Sequence, residues 1–151
     1  MSLASGGRAV PEARHVRALF RVLLAGIVLT TVHYTDNYLY FDEYPQPGSL
    51  RPWHVYAAWL LLTAIGVAGY RLYARGFEVP AYVCLVVYSY TGLSSLGHYL
   101  YGALGEFSGK QHVFIAVDGL AGASVIAFVV WSAVSLRRRR GGSTPAVGGI
   151  A

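Results

Sequence analysis

The chain has 151 residues, of which 55% are hydrophobic and only 13% are charged, and its formal net charge is +5. The charged fraction is about half the usual quarter of a soluble globular domain, so the composition excludes an ordinary soluble fold and predicts a membrane protein. Cys84 is the only cysteine, which excludes an intramolecular disulfide and any metal motif built from cysteine pairs.

Four apolar windows follow one another along the chain, at residues 16–34, 53–73, 79–100 and 112–136. Each is close to the roughly 20 residues that a helix needs to cross the hydrocarbon core of a bilayer. Continuous apolar windows of this length predict helices, because barrel strands show a shorter, alternating pattern. The predicted fold is therefore an all-α membrane protein, a bundle of four transmembrane helices over residues 16–136.

Basic residues orient this predicted bundle in the membrane. Four lie at the start of the first helix, two at the end of the second and four at the end of the fourth, whereas each of the other two connections carries one. The side with more arginine and lysine faces the cytoplasm. Both termini are thus predicted to be cytoplasmic, with residues 1–15 as a flexible tail and residues 137–151 as a basic stop-transfer flank and second flexible tail.

The net positive charge gives no sign of a nucleic-acid partner. The stretch LRRRRGG at residues 136–142 fits a flank that holds the last helix against anionic lipids, at roughly 1 kcal/mol per basic residue. The expected partners are the lipid bilayer and a second copy of the chain or another membrane protein. Arginine exceeds lysine, and alanine, glycine and valine are abundant, which suggests a bacterial gene and hence the bacterial plasma membrane.

Four of the five histidines fall one per predicted helix, at His33, His54, His98 and His112. With the orientation derived from the arginines, all four lie at the extracytoplasmic side. His15 is different, because it lies in the basic N-terminal flank. Since the orientation rests on another residue type, the common level of the four histidines is an independent observation and predicts one coupled cluster.

Helical spacing assigns faces to these residues. Side chains three and four positions apart share a helix face, and polar side chains in a lipid-embedded helix face the bundle interior. The third helix carries such a stripe at Cys84, Tyr88, Thr91, Ser95, His98 and Gly102. The first helix carries Thr30, His33, Asp36 and Asn37 on one side, and His33 and Asp36 are expected to meet if this helix continues one turn past its apolar part.

Asp118 is the most unusual residue of the fourth helix. It lies six residues beyond His112, about 9 Å deeper along the helix axis. A carboxylate at such depth costs roughly 2.5 kcal/mol or more to insert and normally pairs, faces water or takes up a proton. Asp118 is therefore interpreted as a proton acceptor, a metal ligand or a residue that orients a histidine, or else as a structural carboxyl that joins helices.

The segment TTVHYTDNYLYFDEYPQPG at residues 30–48 marks the exit of the first helix. Its tyrosines fit an aromatic belt at the headgroup layer, and its prolines and glycine fit a turn. Neither role explains its other polar residues, which form a candidate extracytoplasmic site: His33, Asp36, Asn37, Asp42 and Glu43. An amphipathic segment along the membrane surface between Asp36 and Tyr44 is the alternative for this stretch.

These residues supply the candidate site. The catalytic candidates are His33, His98, His112 and Asp118, in acid–base roles. The metal-ligand candidates are the same four with His54 and Asp36, because imidazole and carboxylate are ligands that zinc, iron and copper accept. No tight local motif such as HExxH accompanies them. A transition metal is accordingly a candidate cofactor without a recognisable sequence motif.

Three classes of function remain open. The small size and the lack of a catalytic motif favour a non-catalytic or accessory membrane component. The first alternative is a metal-binding or His/Asp acid–base site that acts on a lipid or small amphiphile at the outer face. The second is an oligomeric transporter or channel that uses Asp118, because four helices alone enclose little pathway.

Overall fold

The computed structural model describes residues 11–141, which fold into four long helices. Their bounds are Ala13–Leu39 for α1, Pro52–Ala74 for α2, Glu78–Leu93 for α3 and Gly109–Gly141 for α4. The connections contain short 3₁₀ segments at Phe41–Glu43, Ser94–Leu100 and Leu104–Glu106. The prediction of an all-helical protein with four helices long and apolar enough to span a membrane is confirmed.

Several helix bounds differ from the predicted ones. α1 begins at Ala13, inside the predicted flexible tail, and continues five residues past the predicted end at residue 34. It therefore includes Asp36, and of the stretch between Asp36 and Tyr44 the 3₁₀ segment Phe41–Glu43 is separate from α1. α4 extends through the arginine run to Gly141. The remaining parts of both predicted tails, at 1–10 and 142–151, lie outside the described residues.

The four helices alternate in direction and form a ring in which each helix packs against two others. α1 packs against α2 and α4, and α3 packs against α2 and α4, whereas α1 and α3 lie diagonally opposite with few contacts. One end of the bundle, the loop end, holds the 40–51 and 94–108 connections. The other, the turn end, holds the short α2–α3 turn, where Gly76 adopts a left-handed conformation (φ 79°) that favours glycine.

The bundle is apolar outside and polar inside at many positions. Its outward faces expose large aliphatic side chains, among them Leu24, Val28, Leu60, Leu61, Val83 and Leu120. Its interior buries polar side chains on three of the four helices, among them Thr30, His33, Thr91, Ser95, Asp118 and Ser132. A water-soluble bundle shows the opposite distribution. Among the described residues, the surface is therefore suited to a lipid environment.

α3 and α4 approach each other closely through two glycines. A Cβ atom added to Gly92 would collide with the backbone carbonyl oxygen of Asp118, and one added to Gly122 would lie 2.6 Å from the carbonyl oxygen of Ser89. Small residues permit such backbone contact between membrane helices. This contact holds the part of α4 that carries Asp118 directly against α3.

The polar stripe predicted for the third helix faces the interior. Tyr88, Thr91 and Ser95 are buried, whereas the neighbouring Leu96 is 45% exposed. The segment is not one α-helix to residue 100, because it changes to a 3₁₀ helix after Leu93. The single Ser95 hydroxyl proton is shared between the backbone carbonyl oxygens of Gly92 (2.6 Å) and Ile115 (3.2 Å). Hydrogen bonds from the side chain to nearby backbone carbonyls are typical of serine. Gly102, the last predicted member of the stripe, lies beyond this helix.

Candidate functional site

The centre of the site is a buried pair formed by His33 of α1 and Asp118 of α4. Nδ1 of His33 lies 2.8 Å from Oδ2 of Asp118, and the two residues are only 2% and 0% exposed. The pairing follows from two features of the chain: the inward face of α1 continues to its last turn, and α4 is held against α3 by Gly92 and Gly122. Of the roles considered for Asp118, two match this contact: orientation of a histidine, and a structural carboxyl that joins helices.

His98 lies beside this pair and has both ring nitrogens engaged. Its Nδ1 is 2.9 Å from the Pro45 carbonyl oxygen, and its Nε2 is 3.1 Å from Nδ2 of Asn37. A carbonyl oxygen only accepts hydrogen bonds, so Nδ1 of His98 carries the proton and donates. In the neutral ring Nε2 then accepts from the Asn37 amide. The ring centroids of His98 and His33 are 5.9 Å apart.

Tyr44 covers the two histidines from the 40–51 connection. Its buried ring lies 5.6 Å from the His33 ring and 5.2 Å from the His98 ring, and its hydroxyl donates to Oδ2 of Asp36 at 2.7 Å. Burial, followed by this hydrogen bond to Asp36, raises the pKa of the Tyr44 phenol. Tyr44 thus stays protonated and keeps its role as hydrogen-bond donor.

Asp36 has partners other than the predicted one. Its Oδ1 accepts from Nζ of Lys110 at 2.8 Å, and its Oδ2 accepts from Tyr44, so the expected contact with His33 does not form. The Lys110 ammonium also lies 4.2 Å from the centre of the Tyr40 ring. The other two carboxylates of the candidate segment, on Asp42 and Glu43, are exposed. Asp36 therefore links α1 to the 40–51 connection through Tyr44 and to α4 through Lys110, and it is not part of the His33–Asp118 pair.

His112 and His54 also have local partners. Nδ1 of His112 lies 2.8 Å from the Tyr99 hydroxyl, and its ring stacks on that of Tyr99 and contacts Phe107. Nδ1 of His54 accepts from the backbone N–H of Arg51 at 3.0 Å, at the start of α2. The structure thus brings His33, His98 and Asp118 together, and it places His112 and His54 in separate contacts at the same end of the bundle.

These contacts bear on metal binding. Within residues 11–141, no group of three or more His, Cys, Asp and Glu side chains is placed to hold a metal ion. The two nitrogens of His98 and one nitrogen each of His33, His54 and His112 already form hydrogen bonds. As arranged, the residues do not fit a metal centre. The transition metal stays a prediction, and the geometry favours hydrogen bonding at this site.

A cavity of about 350 Å³ adjoins the site at the loop end. It is bounded by α1, α2, the end of α3, the 3₁₀ segment Ser94–Leu100 and the 40–51 connection. Its lining includes the polar residues His33, Asn37, Gln46, His54, Ser94, Ser95 and His98 and the tyrosines Tyr34, Tyr90 and Tyr101. Exposed side chains of Tyr90, Leu100 and Tyr101 also line it, so it opens at the side of the bundle.

Comparison of the chain with family models, with curated proteins and with solved structures gave no match.

The cavity lies on the loop-end side of the contact between α2 and α3. Nearer the turn end these two helices are in close contact: a Cβ atom added to Gly66 would lie 2.7 Å from the Tyr88 ring, and one added to Gly69 would lie 3.0 Å from Cβ of Cys84. After Leu93 the chain changes to 3₁₀ winding, and residues of this segment line the cavity. The volume lies within the roughly 300–1,000 Å³ that is usual for small-molecule sites.

Two components of the site were not predicted from the sequence. Tyr44 was interpreted as a member of the aromatic belt, and the Pro45 carbonyl as part of a turn, yet both contact the histidines. No periodic signal marks them, because they lie in an irregular connection. Asn37 was predicted on the same face as His33, and the spacing of four residues that places it there was a sufficient signal.

Proposed function

We propose that the chain is a multi-pass protein of the bacterial plasma membrane that binds a small amphiphilic molecule at the loop end and does not transform it. The observation that carries this proposal is the cavity of about 350 Å³, which is lined by His33, the histidine that pairs with the buried Asp118. A mostly apolar cavity with a few polar groups is typical of sites that bind small molecules. The protein then acts as a non-catalytic binding component of the membrane.

The position of the opening supports an amphiphile as the ligand. The exposed residues at the rim, Tyr90, Leu100 and Tyr101, lie on the outward side of the bundle, where the surrounding surface is apolar. In a membrane this side contacts lipid near the level of the headgroups. A molecule with an apolar body reaches such an opening from the lipid, and its polar end meets the histidine wall.

The proposed orientation has the loop end outside the cytoplasm and both termini inside, because nine of the eleven lysine and arginine residues within 11–141 belong to the turn-end side. Reporter fusions that end after residue 45 and after residue 105 are expected to report the extracytoplasmic side. Fusions after residue 76 and at the C-terminus are expected to report the cytoplasm. If residues 45 and 76 report the same side, the alternating topology in the membrane is wrong.

A matched pair of glycine variants tests ligand binding. Gly97 lines the cavity and Gly105 does not, and a Cβ atom at either position meets no heavy atom within 4 Å. Gly97→Phe is expected to fill the cavity without a backbone collision, whereas Gly105→Phe leaves it open. The measurement uses octyl photoprobes with a diazirine in the tail and neutral, cationic or anionic heads, applied to the protein in lipid nanodiscs.

The expected result is labelling of cavity residues on α2 and the 3₁₀ segment that an excess of unlabelled probe removes. Gly97→Phe should reduce this competable labelling about tenfold or more, and Gly105→Phe should leave it at the wild-type level. The proposal would be contradicted if unlabelled probe failed to reduce the labelling for every head group. It would also be contradicted if the two variants were labelled equally. Circular dichroism of both variants shows whether each remains helical.

An acid–base role is the second candidate, because a carboxylate oriented on an imidazole is the arrangement that acid–base sites use. This role would use the same two residues, His33 and Asp118. It differs from the binding proposal because the bound molecule must carry a reacting group within hydrogen-bond reach of His33. The transporter alternative has less support: Asp118 is fully buried and is not among the residues that line the loop-end cavity.

A further inference from the structure

Two residues that line the loop-end cavity each have a buried polar atom without a hydrogen-bond partner among residues 11–141. These atoms are Nε2 of His33 and Oδ1 of Asn37. Both residues are more than nine-tenths buried. They lie four positions apart on α1, so they are neighbours on one helix face. Because an unsatisfied buried polar atom costs roughly 1–3 kcal/mol, a ligand group that bonds both atoms recovers that free energy.

The Asn37 oxygen is an acceptor, as the contacts of His98 require. The Pro45 carbonyl fixes the proton on Nδ1 of His98, so Nε2 of that ring accepts. The Asn37 amide must therefore turn its NH₂ group toward His98, at 3.1 Å, which leaves Oδ1 free. A ligand group that binds Oδ1 of Asn37 has to donate a hydrogen bond.

The unpartnered nitrogen of His33 has a variable role. When its ring is neutral and Nδ1 donates to Asp118, Nε2 accepts; when the pair holds one more proton, Nε2 donates. A hydroxyl group can serve both states, because it donates one hydrogen bond and accepts others. A hydroxyl also brings no charge into a cavity whose lining contains neither arginine nor lysine.

We propose that the ligand of this cavity is a neutral alcohol, an apolar body that ends in a hydroxyl group, and that His33 and Asn37 bind this hydroxyl. The inference rests on the proposed function, since it names the chemical class of the molecule that the cavity takes. A carboxylate head cannot donate to Oδ1 of Asn37, and neither arginine nor lysine is present in the lining to compensate its charge. A quaternary ammonium head has no N–H to donate and brings a charge that must be desolvated.

Competition between heads on one tail tests this assignment in the wild-type protein. Labelling of the cavity by the octyl photoprobe is measured in nanodiscs against unlabelled octanol, octanoate, octyltrimethylammonium, octylammonium and octane, each corrected for its partition into the lipid. Octanol is expected to compete at a concentration about tenfold lower than octane, octanoate or octyltrimethylammonium, since one net hydrogen bond corresponds to about that factor. Octylammonium, which has both donors and a charge, is expected to be weaker than octanol.

The Asn37→Leu variant tests the atom assigned to the hydroxyl. In this variant octanol should compete no better than octane, because the acceptor that binds the hydroxyl group is lost. Competition by octane itself should be unchanged. If octanoate, either ammonium or octane competes as well as octanol, the alcohol assignment is overturned while ligand binding stands. If no head gives competable labelling, the proposed function itself fails. Since the ranking of heads uses the wild-type chain, it decides the question even where the variant does not fold.

Discussion

Replacement of Gly92 by alanine is expected to destabilise the bundle by about 3 kcal/mol or more, the upper part of the usual range for overpacking. The added methyl group would collide with the Asp118 carbonyl oxygen, a backbone atom that cannot move without displacing α4. The separation of α3 from α4 would also shift Asp118 away from His33. The variant should therefore unfold at lower denaturant concentration, as followed by far-ultraviolet circular dichroism in detergent micelles.

Gly119→Ala is the matched control for this experiment. A Cβ atom at Gly119 would meet only the side chain of Leu96, at an ordinary contact distance of 3.4 Å, and the residue lies within α4. Because alanine is favoured over glycine in a helix by about 1 kcal/mol, this variant should be as stable as the wild type or more stable. Equal loss of stability in the two variants would show that the α3–α4 contact is not the reason.

His33→Leu is expected to reduce the free energy of unfolding by about 3 kcal/mol, because it leaves the fully buried Asp118 without its hydrogen-bonding partner. His15→Leu gives the comparison, since His15 is equally buried but neither of its ring nitrogens has a hydrogen-bond partner within residues 11–141. The His15 variant should be at least as stable as the wild type, because leucine removes two unsatisfied polar atoms. Denaturant titrations in the same micelles measure both.

A double replacement distinguishes the energy of the His33–Asp118 interaction from the effect of losing the His33 ring. In the variant with His33→Leu and Asp118→Leu, no buried carboxylate remains, so the loss should be smaller than the sum of the two single losses. The difference is the coupling free energy between the two side chains, and an additive result would indicate that the 2.8 Å contact has no energetic weight. His15→Leu combined with Asp118→Leu should be additive.

The positions of the helices could be predicted because each apolar window has the length of a membrane span and because outward residues are aliphatic. The same hydropathy argument placed the end of α1 too early. The last turn of this helix carries Asp36 and Asn37, whose partners are Lys110 and Tyr44 for the first and His98 for the second. Hydropathy describes the transfer of a side chain from water to lipid. These side chains are not in lipid, because they form hydrogen bonds inside the bundle.

The candidate site was predicted in part, for a related reason. Helical spacing placed His33, Asn37 and His98 on inward faces, and the depth of Asp118 left orientation of a histidine as one of four possible roles. Spacing within a helix says nothing about which histidine is the partner, because that depends on how closely α3 and α4 approach. The approach is set by Gly92 and Gly122, whose significance is visible only when the backbone of the neighbouring helix is known.

The 3₁₀ segment Ser94–Leu100 gives the cavity wall a repeat of three residues. Residues three apart are eclipsed in such a helix, so Ser95, His98 and the capping Tyr101 form one column, and Ser94, Gly97 and Leu100 form a second. Both columns line the cavity, whereas Leu96 and Tyr99 of the third column do not. In an α-helix each column would rotate by about 120° over two such steps, and Tyr101 would leave the wall. The identity of every third residue therefore determines the chemistry of the wall, and a one-residue insertion here would replace each wall column by its neighbour.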